Sequence, residues 1–471
     1  MIHDPMRGQM RSLVVGFIIA VLVVGAAGVL AFFKPMPNLG EAQILLSKSD
    51  GALFVRIGDR VHPVLNLASA RLIVGKSDPP KQVDEKFLNQ LSLGPTVGII
   101  GAPTTIQSGD ESGASSWTVC DTTQTPKVTD PSGPAGVETT VLANNPVLDD
   151  DIRAADPAEM ILTRSGGTVF LIYQGVRASI DATNPVLISA LHLENSKVRD
   201  LSPGLLNSIP LVNPIVPVSI PGAGQEAGYL GSGYRVGSIL RTSDSRGQQL
   251  YVVLQQGLQR ISEATADIIR YSSGAPVAVQ GWRDVSPALV SGVQVANGLP
   301  VAHYPAASPR IVDVEPDRVV CMAWQRGNSA AQATTRLLIG HRLPLPRQAQ
   351  AVRLATADGS GPGLDSVYLK PGTGEFVQST GVQPDSRAMG QLFYISDVGM
   401  RFSIKDLPSA AALGVSGVKD ADGKDETPQL APWPVISLLP PGPELSQQAA
   451  LIAHDSMRAD PSGQPVKLPK S

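Results

Sequence analysis

Four stretches of this chain share one arrangement of apolar and polar positions: GALFVRIGDRVHPVLNLASARLIVG (51–75), GGTVFLIYQGVRASIDATNPVLISAL (166–191), GQQLYVVLQQGLQRISEATADIIR (247–270) and GQLFYISDVGMRFSIKDLPSAAALG (390–414). Each starts with an apolar run of strand length, passes a glycine, continues with a second run of period two, and then shifts to the spacing of a short helix. The pattern predicts a hairpin whose turn glycine, Gly58, Gly175, Gly257 or Gly399, supplies positive φ. In the last three copies that glycine is followed by an apolar residue and then Arg or Gln, with Ile180, Ile261 and Ile404 shortly after. Asn184-Pro185 and Leu407-Pro408 place proline at helix starts, and Gly75 and Gly414 stand where the first and fourth helices should end. Units this small cannot bury an apolar face alone, so the copies must pack on one another or on a shared core.

The other clear pattern is an unbroken one. Leu13 to Phe33 contains no charge, and a helix of that length, at ~1.5 Å per residue, matches a hydrocarbon core of roughly 30 Å. It is expected to be a transmembrane helix. A cleaved signal peptide, with Ala26, Ala27 and Ala31 as small residues near its end, is the competing reading. Arg7 and Arg11 precede the run and Lys34 follows it, which keeps the N-terminus cytoplasmic and leaves nearly all of the chain outside the cytosol.

The stretches between the repeats supply a candidate core. Residues 92–145 and 276–365 each contain one of the two cysteines, Cys120 in SSWTVCD and Cys321 in RVVCMAW. An exported compartment is oxidising, so one disulfide is the natural pairing, with two unrelated buried thiols as the alternative. Trp117 and Trp324 lie close to the cysteines in sequence, as a bridge packed in a core would have it. The expected fold class is α+β: a single N-terminal transmembrane helix followed by a β-rich periplasmic region of four small repeat domains around a central disulfide-containing β core. The expected segments are a cytoplasmic arm (1–12), membrane helix (13–33), first repeat (34–85), first part of the core (86–150), second repeat (151–208), Pro/Gly linker (209–236), third repeat (237–275), second part of the core (276–365), fourth repeat (366–418) and Pro-rich tail (419–471). The linker is expected to be extended, and the tail to contain a short helix from near Glu444.

Composition narrows the function. An apolar content of 42% with 17% charge excludes a mainly disordered chain, and a net charge of −3 gives no pull toward nucleic acid. Forty prolines and 46 glycines against 4% aromatics fit short elements joined by many turns. Gly75-Lys76-Ser77 spells the end of a phosphate-binding loop, but the leading glycine of that motif is Ala70 here and Asp78-Pro79-Pro80 follows. A nucleotide loop needs its glycine before a helix, whereas this one is expected after a helix, as a cap. Lys76 and Ser77 are therefore only weak nucleotide candidates. The six histidines are scattered; His62 is expected in a strand and His192 in a helix, and no metal site is expected. DADGKDE (420–426) lacks calcium-loop spacing and reads as a solvated turn. Asp149, Asp150, Asp151 and Asp156 could be paired carboxylates, but read rather as acids at the start of a helix over IRAADPAEM. No catalytic constellation emerges, and no cofactor is expected unless ATP is bound.

The chain resembles the EccB family, the single-pass membrane component of ESX (type VII) secretion systems of mycobacteria and related actinobacteria. The resemblance is carried by MIHDPMRGQMRSLVVGFIIAVL, LGPTVGIIGAPTTI (93–106), VFLIYQGVRASID (169–181), VRDLSPGLLNSIP (198–210), VVCMAW (319–324), GQLFYISDVGMRFSI (390–404) and LLPPGPELSQQAALIAHD (438–455), and extends over essentially the whole chain. It implies a structural component anchored in the cell inner membrane that braces the export channel on the periplasmic side. It also implies self-association within the complex, with EccC, EccD, EccE and the mycosin protease as partners. Family members usually carry a longer segment before the helix than residues 1–12. They are often labelled ATPases, so ATP binding and hydrolysis is the alternative function, and a cell-wall binding module is a second alternative.

Overall fold

The computed structural model describes residues 5–32, 42–88, 90–107, 114–124, 136–245, 247–272, 281–327, 330–415, 417–419 and 426–457. At the N-terminus a helix runs Pro5–Phe32. Leu13 lies within it and is exposed, as are the other large apolar residues described as far as Val24; Phe33 lies outside the described residues, as does 420–425 of DADGKDE. Within this helix the side chains described are those of Met10 and of residues 12–26, and among the described residues no helix is long and apolar enough to cross a membrane.

Each of the four repeated patterns forms a hairpin and a helix, and each belongs to a larger unit. A further strand precedes the hairpin (Ile44–Ser47, Glu159–Ser165, Ile239–Asp244 and Glu375–Thr380), making an antiparallel three-stranded meander. The chain then crosses the sheet as a helix, Leu67–Val74, Pro185–Ala190, Glu263–Tyr271 or Leu407–Leu413. Each helix starts on a side-chain cap, Asn66, Asn184, Ser262 or Asp406, that accepts from an amide of the first turn, an arrangement worth about 1 kcal/mol apiece. After the helix the chain returns to pair in parallel with the first strand, through Lys81–Val83, Trp282–Asp284 and Gln429–Pro432 in three units. In the second unit a bridge from Arg199 to Thr163 and the strand Arg310–Ile311 share that edge.

A last element closes every unit. A strap lies parallel to the strand that follows the turn glycine, with bridges Val64 to Val97, Arg177 to Leu211, Ile180 to Ile215, Leu258 to Val295, Arg401 to Pro441 and Ile404 to Leu445. The expected linker at 209–236 thus begins as an edge strand of the second repeat, and the Pro-rich tail as an edge strand of the fourth. The tail has a helical turn at Trp433–Ile436 and the short helix expected from near Glu444, which spans Gln447–Ala450 and is capped by Ser446.

The core is a seven-stranded sheet in the order Val352–Arg353, Ser366–Leu369, Val137–Ala143, Ala114–Thr123, Val319–Gly327, Thr334–Gly340, Ile152–Ala154. Its strands differ from the expected segments in a telling way: Ile152–Ala154 and Ser366–Leu369 join it from stretches assigned to repeats. Ile152–Ala154 comes from the first half of the chain and pairs with a strand of the second. Ser366–Leu369 comes from the second half and pairs with a strand of the first. The halves therefore exchange strands. Ile152–Ala154 and Glu159–Ser165 also replace the helix expected over IRAADPAEM: Met160, Ile161 and Leu162 are buried as strand residues. Asp149 and Asp151 instead meet Arg342 and His341. His62 is in the strand Arg60–Pro63, whereas His192 follows its helix with φ 51°.

One face of the central sheet packs against the second and fourth repeats in a shared core that includes Trp117, Val119, Met322, Trp324, Ile172, Phe393 and Ile395. The second repeat continues into the third through another core, and the fourth into the first through a third. The order in space is third repeat, second repeat, central sheet, fourth repeat, first repeat.

Candidate functional site

The centre of the molecule is the antiparallel pair Ala114–Thr123 and Val319–Gly327, in which Cys120 stands directly opposite Cys321 and Trp117 opposite Trp324. The cysteines form a disulfide with Cα atoms 4.0 Å apart and a sequence separation of 201. Strand alternation places residues three apart on opposite faces. The tryptophans accordingly face the repeats, while the disulfide faces a separate cluster with Leu142, Leu338 and Leu345. The two pairs flank the sheet rather than packing on each other.

Asp121 turns to the same side as Trp117 and has no exposed surface. Its carboxylate accepts from the Ser202 amide (2.6 Å), the Ser202 hydroxyl (2.8 Å) and the Thr139 hydroxyl (3.0 Å). Ser202 also caps the helix Pro203–Asn207, so the carboxylate fixes the segment leaving the second repeat onto the central sheet. Burial raises Asp121 to about 6, while the Ser202 and Thr139 bonds and the charge of Arg199 act to lower it. Arg199, also buried, donates to the carbonyls of Asp317 and Arg318 at 2.7 Å each. Burial lowers its guanidinium to about 10. A second clamp is Glu159, which Arg153 of the central sheet grips at 2.6 and 2.8 Å and Arg310 at 2.8 Å; these bonds, Arg153 foremost, hold its carboxyl well below the usual carboxylate range.

The turn glycines have different neighbours. A Cβ on Gly175 would stand 2.5 Å from the Thr335 carbonyl oxygen, and one on Gly399 would stand 2.4 Å from Val367 Cγ1, both in the central sheet. These two glycines let the inner repeats seat their turns on the core, at φ of 80° each. Gly257 is not in its turn: it opens the strand Gly257–Ile261 opposite Leu254, leaving Gln255-Gln256 as the turn, and a Cβ on it would meet the Gln294 carbonyl of its own strap at 2.3 Å, whereas Gly58 has open space around it. The polar residue two positions after the glycine holds the strap in two repeats: Arg177 donates to Ile209 O, and the Gln259 amide pairs with both backbone groups of Leu299 at 2.8 Å. Arg401, in the same position of the fourth repeat, lies over the rings of Phe393 and Trp433. The recurring Arg or Gln was visible in the sequence; Asp121, Ser202 and Arg199 carried no signal of their own.

Gly75 caps the C-terminus of Leu67–Val74 at φ 75°, its amide bonded to Arg71 O. Lys76 and Ser77 follow the helix, exposed. Ser77 lies where a Cβ on Gly414 would come within 2.9 Å, and Arg71 donates to Leu413 O at 2.8 Å. These residues meet the end of the fourth repeat's helix and form part of the contact between the first and fourth repeats.

The family description "Type VII secretion system ESX-1, transport TM domain B" matches residues 1–459. The ESX-3 secretion system ATPase EccB3 of Mycobacterium tuberculosis is 35% identical over 98% of this chain and 86% of its own length. The ESX-1 secretion system ATPase EccB1 of the same species is 31% identical over 100% and 92%. Among solved structures, a chain of an intact ESX-5 inner membrane complex is similar with a TM-score of 0.72 at 30% identity, covering 99% of this chain and 92% of that one. A chain of the EccB3 dimer from the ESX-3 core complex reaches 0.71 at 30% identity, covering 87% and 100%. With its four meander-and-strap units arranged on a disulfide-stapled sheet, and with likeness along its whole length, the chain belongs to the EccB family of type VII secretion systems.

Proposed function

We propose that this chain is a structural component of an ESX inner membrane complex, in which its four repeats and central sheet form part of the periplasmic assembly and brace the export route. The observation that carries this reading is the similarity over 99% of the chain to a component of the intact ESX-5 inner membrane complex. The array of repeats, tied together through the exchanged strands of the central sheet, suits a load-carrying element. The uncharged run Leu13 to Phe33 is the membrane anchor in this proposal, crossing once with the N-terminus in the cytoplasm. Self-association follows the EccB3 dimer of the ESX-3 core complex, and the further partners proposed are EccC, EccD, EccE and the mycosin protease. Purification from native membranes in mild detergent tests this. The full chain should copurify with those partners as an oligomer, and a chain cut back after residue 41 should lose assembly and secretion. Intact assembly and secretion in the truncated form would reject the reading.

ATP hydrolysis remains as a second reading because the relatives are named ATPases. ATP would then be the cofactor, and Lys76 and Ser77 the residues to test first.

A further inference from the structure

We propose that the cleft between the second and third repeats is a binding site for a neutral oligosaccharide. The cleft has a volume of about 750 Å³, within the range of about 300–1,000 Å³ typical of small-ligand sites. Its floor is apolar and fixed: Leu250, Ile261, Val301 and Tyr304 are buried, and the Tyr304 hydroxyl is held by the backbone of Val216 at 2.7 Å. Gln259 locks the strap alongside by pairing with Leu299. The rim is made of amides, with Gln174, Gln248 and Asn297 exposed and Gln249 half-buried. Among the described residues, the Gln248 and Asn297 side chains make no hydrogen bond.

An amide head offers both donors and an acceptor, which is what a hydroxyl or acetamido group requires. Among the described residues, the charged ones of the rim are Arg260 and Glu263, one of each sign, so this described lining favours neither anions nor cations. Trp282 is half-buried with Arg241 over its ring at 5.5 Å, and the part of it that lines the cleft adds apolar aromatic surface for the C–H groups of a pyranose ring. An extended peptide would seek an open sheet edge; of the two end strands of this sheet, Gly257–Ile261 has the strap alongside it at Val295, and Trp282–Asp284 presents only Trp282 to the cleft. The chemistry therefore favours a sugar chain over a polypeptide.

The test uses the full chain in mild detergent with N-acetylchitotetraose and cellotetraose as probes, read by saturation-transfer NMR on the sugar protons. Saturable transfer to either sugar is expected. Gln248→Ala combined with Asn297→Ala should weaken it about tenfold or more, as the loss of two hydrogen bonds of about 1 kcal/mol each implies. Both residues are at the surface, so the double variant should keep the unfolding midpoint; Trp282→Phe gives a second, independent perturbation with the same expected direction. No transfer to either sugar, transfer unchanged in both variants, or binding only of an uncharged peptide of similar length would overturn the proposal. Assembly of the membrane complex is a separate readout, and its preservation or loss bears on the structural role alone.

Discussion

Asp121 offers the most direct test of how the repeats are fixed to the central sheet. Its carboxyl is fully buried, and burial raises it from 3.8 to about 6 despite three hydrogen bonds and the nearby charge of Arg199. A carboxyl raised in the fold binds its proton more tightly there than in the unfolded chain. Its contribution to stability is therefore complete below the unfolded value and is lost as pH rises through about 6. The full displacement corresponds to about 3 kcal/mol, and between about pH 4.5 and about pH 7.5 the linkage relation gives a loss of about 2 kcal/mol. Asp121→Asn keeps the shape and removes the titration. Urea unfolding of the full chain in detergent, followed by tryptophan fluorescence, should then show a fall in stability between those two pH values that is about 2 kcal/mol smaller in the variant than in the parent protein. Other titrating groups contribute equally to both proteins and cancel. An identical pH dependence in the two would show that Asp121 does not titrate in the fold, and the argument that burial dominates its environment would fail.

Three further outcomes can be measured. Gly399→Ala combines a φ of 80° with a Cβ 2.4 Å from Val367 Cγ1 and should cost about 2–4 kcal/mol in thermal unfolding, whereas Gly58→Ala, with open space around it, should cost only about 1 kcal/mol; equal costs would contradict the docking of the fourth repeat on the core. Cys120→Ser with Cys321→Ser should destabilise by at most about 5 kcal/mol in the chain-entropy picture, and mass spectrometry of the unreduced parent should find both sulfurs linked, free thiols being the contrary result. Lys76→Ala with Ser77→Ala should leave any ATP turnover of a clean preparation unchanged, since both residues follow the helix instead of preceding one; abolished turnover would reinstate a phosphate site there.

The hairpins were legible because a glycine that needs positive φ sits between two period-two runs, and Gly175 and Gly399 have that conformation. The straps were not. Pro210, Pro214 and Pro217 interrupt IPLVNPIVPVSI, so the segment reads as a linker, yet a parallel edge strand needs only a few amides, and Val212 and Ile215 supply them to Arg177 and Ser179. The first strand of each unit was missed for a different reason: ILLS and EFVQST are too short to show a period. Asp149 to Asp151 misled because acids suit a helix start and a turn equally well, and only the burial of Ile152 and Met160 as strand residues decides between them. The site residues were hidden for a related reason. Asp121 and Ser202 are 81 positions apart, and nothing local marks them as partners.

The strand exchange explains why a staple at the centre is useful to a bracing element. Each half of the chain contributes two repeats, but the second repeat packs with the third and the fourth with the first, so each lateral pair contains one repeat from each half. Separating the pairs means breaking the central sheet, where Ile152–Ala154 and Ser366–Leu369 each pair with the opposite half. The Cys120–Cys321 bond lies across the two middle strands, the position at which a force pulling the halves apart would have to open the sheet. A covalent bond there leaves the hydrogen-bonded edges and the helix contacts between outer and inner repeats as the places where the array can yield. The contact between the first and fourth repeats is one such place: at its Gly414 side an arginine-to-carbonyl bond at the helix ends and the packing of Ser77 against a glycine stand beside the apolar core that Leu72 shares with Ala410 and Leu413. Gly414→Leu should therefore loosen the first repeat while leaving the central sheet intact. Faster amide exchange in residues 42–101 and in the helix Leu407–Leu413, whose cap at φ 79° the leucine also strains, would be the expected signature, and faster exchange in the Cys120 strand would show that the centre, not the outer contact, is the weaker joint.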